Sequence, residues 1–321
     1  MLWLRRLSVL VLLHLPAAWG QNVVVTPAVQ GGRIVLTALG SAGLLLQRGD
    51  VRSMPEKDSK HESVVAFLLE DPADITSISQ AGPVISNVNA FPFVGISAKG
   101  GTLVVSGGTG GLSAWKYDTS SARIGDNIVL NEQVAGVIGF PDVTMASRDV
   151  ALMSTDFESP GTSRFGILVL AIDEDGVRAI DDIRIPGSGF ENAVGPANFA
   201  LVTAVQRRNG AVLMYTAHGS MTVTDVTPLV VGKRAADVEV RPVGTGGGGG
   251  AVSVAVASPD TVLFARKGAV MVFDTSNGAP GTLIDTIDVS GRVTSVGGRG
   301  PLGASVTEGA ERARSFSLPT S

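Results

Sequence analysis

Short runs in which apolar and polar residues alternate, separated by turn residues, dominate the chain. Such runs recur about every ten residues and include "RIVLTAL", "SVVAFLL", "FGILVLAID", "AVLMYTA" and "AVMVFD". A period of two between Gly, Asn, Asp and Pro clusters is typical of strands joined by hairpins. After the first 20 residues, no window of 12 residues has a sustained helical period. The pattern therefore predicts an all-β fold.

Several of these runs end in an aspartate that is followed directly by a turn. They end at Asp71, Asp118, Asp173, Asp225 and Asp274, so the intervals are 47, 55, 52 and 49 residues. A further run, "RSFSLP", lies 42 residues past Asp274, where a sixth is due. A fixed period near 50 residues indicates a repeat architecture. We expect each aspartate to have a structural role, because its carboxylate can accept backbone N–H groups in the following turn.

Each period holds about four strands. The clearest unit runs from Val134 to Ile183 as "VAGVIGF", "DVALMS", "FGILVLAID" and "VRAIDDI", with the tight turn "EDG" before the last strand. Four-stranded antiparallel units repeated in series predict a β-propeller. Six blades fit the spacing, while five blades, seven blades and a pair of β-sandwiches remain alternatives.

The last repeat unit ends after its third strand, so it lacks the fourth strand of the other units. The early stretch "NVVVTPAV", residues 22–29, has the pattern of a strand and can supply the missing fourth. We therefore expect the N- and C-terminal strands to close the ring within one blade, which hides both sheet edges.

Residues 1–20, "MLWLRRLSVLVLLHLPAAWG", have the pattern of a secretory signal peptide. Arg5 and Arg6 precede an apolar run, and Ala18 and Gly20 are small residues before an expected cut at Gln21. An uncleaved membrane anchor is the alternative, although the apolar run is shorter than the roughly 20 residues that span a bilayer. No later segment suggests a transmembrane helix. We expect one propeller domain over residues 21–321, secreted to an extracellular or periplasmic space.

The charge and the cysteine and histidine content of the chain exclude several classes of function. Without residues 1–20 the chain has 23 basic and 29 acidic residues, a formal charge of −6, which argues against nucleic-acid binding. Cysteine is absent, so the domain is free of disulfides and has no thiolate metal site. After residue 20 the histidines are His61 and His218, and "GTGGGGG" (244–250) lacks the Lys-Ser or Lys-Thr of a phosphate loop. We therefore expect neither a metal nor a cofactor.

Residues 256–289, "VASPDTVLFARKGAVMVFDTSNGAPGTLIDTIDV", resemble a repeat of the YVTN and WD40-like propellers, including the lactonase-like group. The resemblance rests on the "SPD" turn, the strand pair and the "VFDTSNG" hairpin. It implies a propeller fold, and it leaves function open because such folds carry enzymes and pure binding platforms alike.

The loops that join second to third strands open on one face of a propeller, around its channel. On this strand map they bring Asp156 and Glu158, His218 and Arg266 to one rim. An acid, a base and a cation at one rim can serve a hydrolase, lactonase-like or other. A chain so poor in histidine and paired carboxylates favours instead a non-catalytic binding or scaffold protein with a protein or small-molecule ligand, and we assign no catalytic residue. A subunit of a surface assembly, marked by an apolar outer patch, is a third alternative.

Overall fold

The protein is described by a computed structural model that covers residues 36–318 with short gaps. The gaps are 40–41, 48–62, 72–73, 81–84, 87–92, 108–110, 119–120, 122, 136–141, 160–161, 186–201, 209, 219, 244–252, 259, 278–280, 300–301 and 308–313. The predicted signal segment, the strand expected at 22–29 and His61 lie outside the described residues.

The described residues form five antiparallel sheets whose strands follow one another in chain order. Sheet 1 contains β1 (Leu36–Leu39), β2 (Ala42–Gln47), β3 (Ser63–Asp71), β4 (Asp74–Gln80) and β5 (Ile85–Ser86). Sheet 2 contains β6 (Phe93–Lys99), β7 (Thr102–Gly107), β8 (Gly111–Asp118) and β9 (Arg123–Gln133). Sheet 3 contains β10 (Val143–Met145), β11 (Val150–Ser159), β12 (Thr162–Asp173) and β13 (Gly176–Arg184).

Sheet 4 contains β14 (Val202–Arg208), β15 (Ala211–His218), β16 (Ser220–Asp225) and β17 (Val240–Pro242), with helix α1 (Thr227–Gly232) between its last two strands. Sheet 5 contains β18 (Ser253–Ser258), β19 (Thr261–Asp274), β20 (Thr282–Arg299), β21 (Leu302–Thr307) and β22 (Arg314–Ser317). The prediction of a nearly all-β chain in several antiparallel sheets is confirmed. Sheets 2, 3 and 4 have the expected four strands, whereas sheets 1 and 5 have five.

The aspartates that mark the repeat lie at the ends of equivalent strands. Asp71, Asp118, Asp173 and Asp225 are the last residues of the third strands of sheets 1 to 4. The Oδ1 atom of Asp173 accepts the N–H of Asp175 at 3.0 Å, and that of Asp225 accepts the N–H of Thr227 at 2.9 Å. At the end of β19, Asp274 Oδ1 accepts the N–H of Ser276 at 2.8 Å. The predicted structural role is confirmed for these three carboxylates, which close Asx turns.

Consecutive sheets are joined by buried apolar layers. Between sheets 2 and 3 the layer includes Val104, Leu112, Met153 and Leu170. The layers between sheets 3 and 4, between sheets 4 and 5, and within sheet 5 are built in the same way. Because a middle sheet is covered on both sides, its central strands are buried on both faces, and all six residues of β7 are buried. This explains why "TLVV" and "ILVL" are continuous apolar runs and do not alternate.

The sheets also meet through their first strands. β10 contacts β6 and β14, and β14 contacts β18. β18 in turn contacts the second half of β20, where the N–H of Val296 donates to Ser253 Oγ at 3.2 Å. Meandering sheets that stack face to face, with their first strands adjacent, have the arrangement of propeller blades.

Strand β19 is a hairpin and not a single straight strand. The rings of Phe264 and Phe273 lie 5.7 Å apart, whereas nine residues of extended chain would separate them by about 30 Å. Residues 261–265 pair with β18, and residues 267–274 pair with β20. The chain reverses at Gly268, whose φ of +79° is a conformation that favours glycine.

Strand β20 belongs to two groups of strands. Its residues 282–292 pair with β19, and residues 293–299 pair with β21. The chain therefore passes from the outer strand of one four-stranded unit to the first strand of the next within one continuous strand. The second unit then contains the end of β20, β21 and β22, with β22 in the third place, where "RSFSLP" was expected.

Two local expectations need correction. The first strand of sheet 3 is β10 at Val143–Met145, whereas the pattern placed it at 134–140; of that stretch, Val134 and Ala135 are described and neither is in a strand. The actual strand has three residues, too few to display a period. Helix α1 has only six residues, so a 12-residue window could not detect it.

Candidate functional site

The four predicted rim residues lie at equivalent hairpins of three consecutive sheets. Asp156 and Glu158 lie in β11 near its hairpin to β12, and His218 ends β15 directly before β16. Arg266 is half-buried and precedes the turn of β19. The strand map was thus right about the hairpins, although Asp156 and Glu158 are in a strand and not in a loop. The side chains of Asp156, Glu158 and His218 are outside the described part, so their convergence stays a prediction.

Two further features of the sequence, the aromatic pair Trp115 and Tyr117 on β8 and the "DEDG" stretch at 173–176, have structural explanations. Trp115 and Tyr117 are both buried, so they do not form an exposed stacking platform. Burial and the charge of Asp118 raise the pKa of Tyr117 to about 12. The "DEDG" stretch is a hairpin turn in which Asp173 pairs with Gly176. Among the residues described, no group of three His, Cys, Asp or Glu side chains could hold a metal ion.

A surface groove that sequence analysis did not detect lies beside helix α1. It has a volume of about 590 Å³. Its lining is mostly apolar and consists of Thr227, Pro228, Val231, Gly232, Arg234, Ala235 and Ala236. The side chain of Val231 is 73% exposed, the highest fraction among the exposed large hydrophobic residues of the described part.

The groove belongs to residues 227–239, the connection between β16 and β17, which we call the bridging segment. Pro228 lies in the first turn of α1, where its fixed φ is compatible with helix. The helix ends at Lys233, whose φ of 49° and N–H bond to Leu229 O at 2.9 Å form an αL cap. Lysine pays a steric cost in this conformation that glycine would not. The surrounding contacts must therefore hold the backbone in place.

Those contacts come from two sheets. Leu229 and Val230 are buried in the layer between sheets 3 and 4, and Ala236 packs against it. The N–H of Ala236 donates to Asp181 Oδ2 on β13 at 3.2 Å. Lys233 Nζ forms an ion pair with Asp149, in the turn between β10 and β11. Apolar packing, a hydrogen bond and an ion pair therefore connect the bridging segment of sheet 4 to sheet 3.

The ion pair with Lys233 helps to lower the pKa of the Asp149 carboxyl group. Partial burial raises its pKa, but hydrogen bonds from Lys233 and Ser147 and the charge of Lys233 outweigh burial and hold the pKa below its usual value. A carboxyl group with a lowered folded-state pKa stabilises the fold above its unfolded pKa. That contribution is lost as the pH falls through the folded-state pKa.

We expect Asp149→Asn to lower the free energy of unfolding at pH 7 by up to about 1 kcal/mol, a small value because the pair is partly exposed to solvent. The difference from wild type should shrink as the pH falls through the folded-state pKa of Asp149. Urea denaturation at neutral and at acidic pH measures the free energy of unfolding of the variant and of wild type. Asp126→Asn, at an exposed acid on β9, is the control, and equal pH dependence of the two variants would contradict the assignment.

Comparison with known proteins gives structural similarity only. No family model matches the sequence, and no curated protein matches it. A functionally unknown protein from Desulfotomaculum acetoxidans is 13% identical, with a TM-score of 0.49 over 77% of this chain and 69% of that chain. The β-propeller domain of Myceliophteria thermophila Cps50 (Swd1) is 10% identical, with a TM-score of 0.47 over 92% and 100%. The WD40 repeats of RRP9 are 12% identical, with a TM-score of 0.48 over 87% and 91%.

No helix in the described ranges is long and apolar enough to cross a membrane.

Proposed function

We propose that the protein is an exported, non-catalytic binding protein that uses the groove of the bridging segment to hold an extended peptide of a partner protein. The observation that carries this proposal is the groove itself, an exposed apolar surface on a backbone that contacts with sheet 3 hold in place. The signal-like pattern of residues 1–20 supports export to the envelope or the extracellular space.

The fixed backbone favours binding. Association costs free energy whenever loops and side chains become ordered, so a surface that is already ordered loses less on binding. The bonds from Ala236 to Asp181 and from Lys233 to Asp149 hold the groove walls before a ligand binds.

The lining favours an extended peptide as the ligand. Gly232, Ala235 and Ala236 have little or no side chain, so a partner backbone can approach closely. Pro228 and Val231 supply apolar surface against which one side chain of the peptide can pack. Exposed apolar surface bordered by polar residues is typical of protein-interaction sites.

The fold that carries this groove is, on our proposal, a six-bladed propeller of the YVTN-like type. The repeated aspartates and the third-place position of β22 support six units. In the described part, β22 pairs with β21 alone, so its other edge can receive residues 22–29 as a fourth strand.

A substitution at the exposed valine tests the proposed function. We expect Val231→Asp to abolish the binding of a set of peptides that wild type selects from an array of 15-residue peptides covering the proteome of the source organism. Leu130→Asp is the matched control, since Leu130 is 51% exposed on a different sheet. Loss of binding in both variants, or no peptide selected by wild type, would contradict the proposal.

A further inference from the structure

The groove contains one charged side chain, that of Arg234. Arg234 is exposed and folds back along the groove, because a Cβ atom on Gly232 would lie 3.4 Å from its Cγ and 3.6 Å from its Nε. These are ordinary van der Waals distances, so the arginine side chain runs alongside position 232. Arg234 is one of the residues that line the groove, beside its apolar residues.

The neighbouring cations have acidic partners, whereas none of the described acidic residues forms an ion pair with Arg234. Lys233 is paired with Asp149, and Arg241 Nε lies 3.8 Å from a carboxylate oxygen of Glu239. Within the described ranges Arg234 forms no ion pair. Its five N–H donors are thus available to a ligand, and a guanidinium group binds a carboxylate through two parallel hydrogen bonds.

We infer that the groove selects peptides in which a carboxylate lies next to a small apolar side chain. The carboxylate binds Arg234, and the apolar side chain packs against Val231 and Pro228. This inference rests on the proposed function and adds the chemical class of the ligand. The carboxylate is that of an acidic side chain within the peptide, and a free C-terminal carboxylate is the alternative that the test distinguishes.

The charges of the bridging segment favour a peptide over an anionic membrane surface as the ligand. Stable attraction to anionic lipid takes a cluster of about four to eight Lys or Arg residues. Here the bridging segment combines Lys233 and Arg234 with the acids Asp237 and Glu239, and the whole chain has a formal charge of −4. A single guanidinium group beside an apolar groove can bind a single carboxylate, and this favours a peptide over a membrane surface.

Two pools of acetylated, amidated octapeptides test the inference, one with a fixed central Val-Asp and one with Val-Asn, random elsewhere. We expect wild type to bind the Val-Asp pool about tenfold more tightly by fluorescence anisotropy. Arg234→Ala should remove this preference, and Arg234→Glu should shift it to a Val-Lys pool. Arg123→Ala, at an exposed arginine on β9, should leave it unchanged. A third pool with a random sequence and a free C-terminal carboxylate should bind more weakly than the Val-Asp pool. Arg234-dependent binding of this third pool as tight as that of the Val-Asp pool would overturn the assignment to an acidic side chain.

The outcomes separate the inference from the proposed function. If wild type binds both pools equally and Val231→Asp abolishes binding of both, the proposed function stands and the inference is overturned. If Val231→Asp binds like wild type, or if nothing binds, both are overturned. Arg234-dependent sedimentation with phosphatidylserine vesicles, without a preference between the pools, would also overturn the inference. Because Arg234 is exposed, melting curves of its variants should match that of wild type.

Discussion

Replacing Phe264 with alanine is expected to lower the free energy of unfolding by about 3–5 kcal/mol. Phe264 is fully buried between sheets 4 and 5. Its ring lies edge-on to Tyr215 at 6.4 Å and to Phe273 at 5.7 Å between centroids. Alanine removes the apolar surface and the two aromatic contacts, and it leaves a cavity that a stacked pair of sheets cannot easily collapse. Urea denaturation followed by circular dichroism measures the loss.

Two variants serve as controls for this prediction. Phe264→Leu keeps most of the volume and should cost less than about 1.5 kcal/mol. Leu283→Ala, at a side chain 46% exposed on β20, should stay within about 0.5 kcal/mol of wild type. A loss below about 1 kcal/mol for Phe264→Ala would mean that sheets 4 and 5 do not pack as described.

Replacing residues 22–29 with a Gly-Ser linker of equal length should open the proposed ring and cost on the order of 5 kcal/mol, because several apolar side chains lose their burial. Calorimetry should record a large fall in melting temperature. The same replacement at 55–62, "PEKDSKHE", is the length-matched control and should have little effect, since this stretch is polar. Equal melting of wild type and the 22–29 variant would exclude closure by this strand.

The sequence predicted the parts of the fold that depend on local chemistry. An aspartate at a strand end closes its Asx turn with the N–H of the residue two positions away, so Asp173, Asp225 and Asp274 could be identified from the chain alone. The repeat of about 50 residues then placed the third strands correctly. The hairpins that carry Asp156, His218 and Arg266 followed from the same spacing.

The bridging segment could not be predicted, because its conformation depends on contacts distant in sequence. Lys233 adopts a positive φ that its own side chain disfavours, and its ion-pair partner Asp149 is 84 residues away. Asp181, which binds Ala236, is 55 residues away. The only local signals are Pro228 in the first turn and the apolar run "PLVV", both of which are also compatible with a strand end.

The continuous course of β20 through two groups of strands has a consequence for protein engineering. Among the described strands, β20 is the one that pairs with strands of two consecutive groups. New termini at residues 292–293 would sever hydrogen-bonded backbone, so circular permutants and domain insertions at this junction would be poorly tolerated. A split-protein reporter built on this chain should therefore keep everything from β18 to β22 in one fragment.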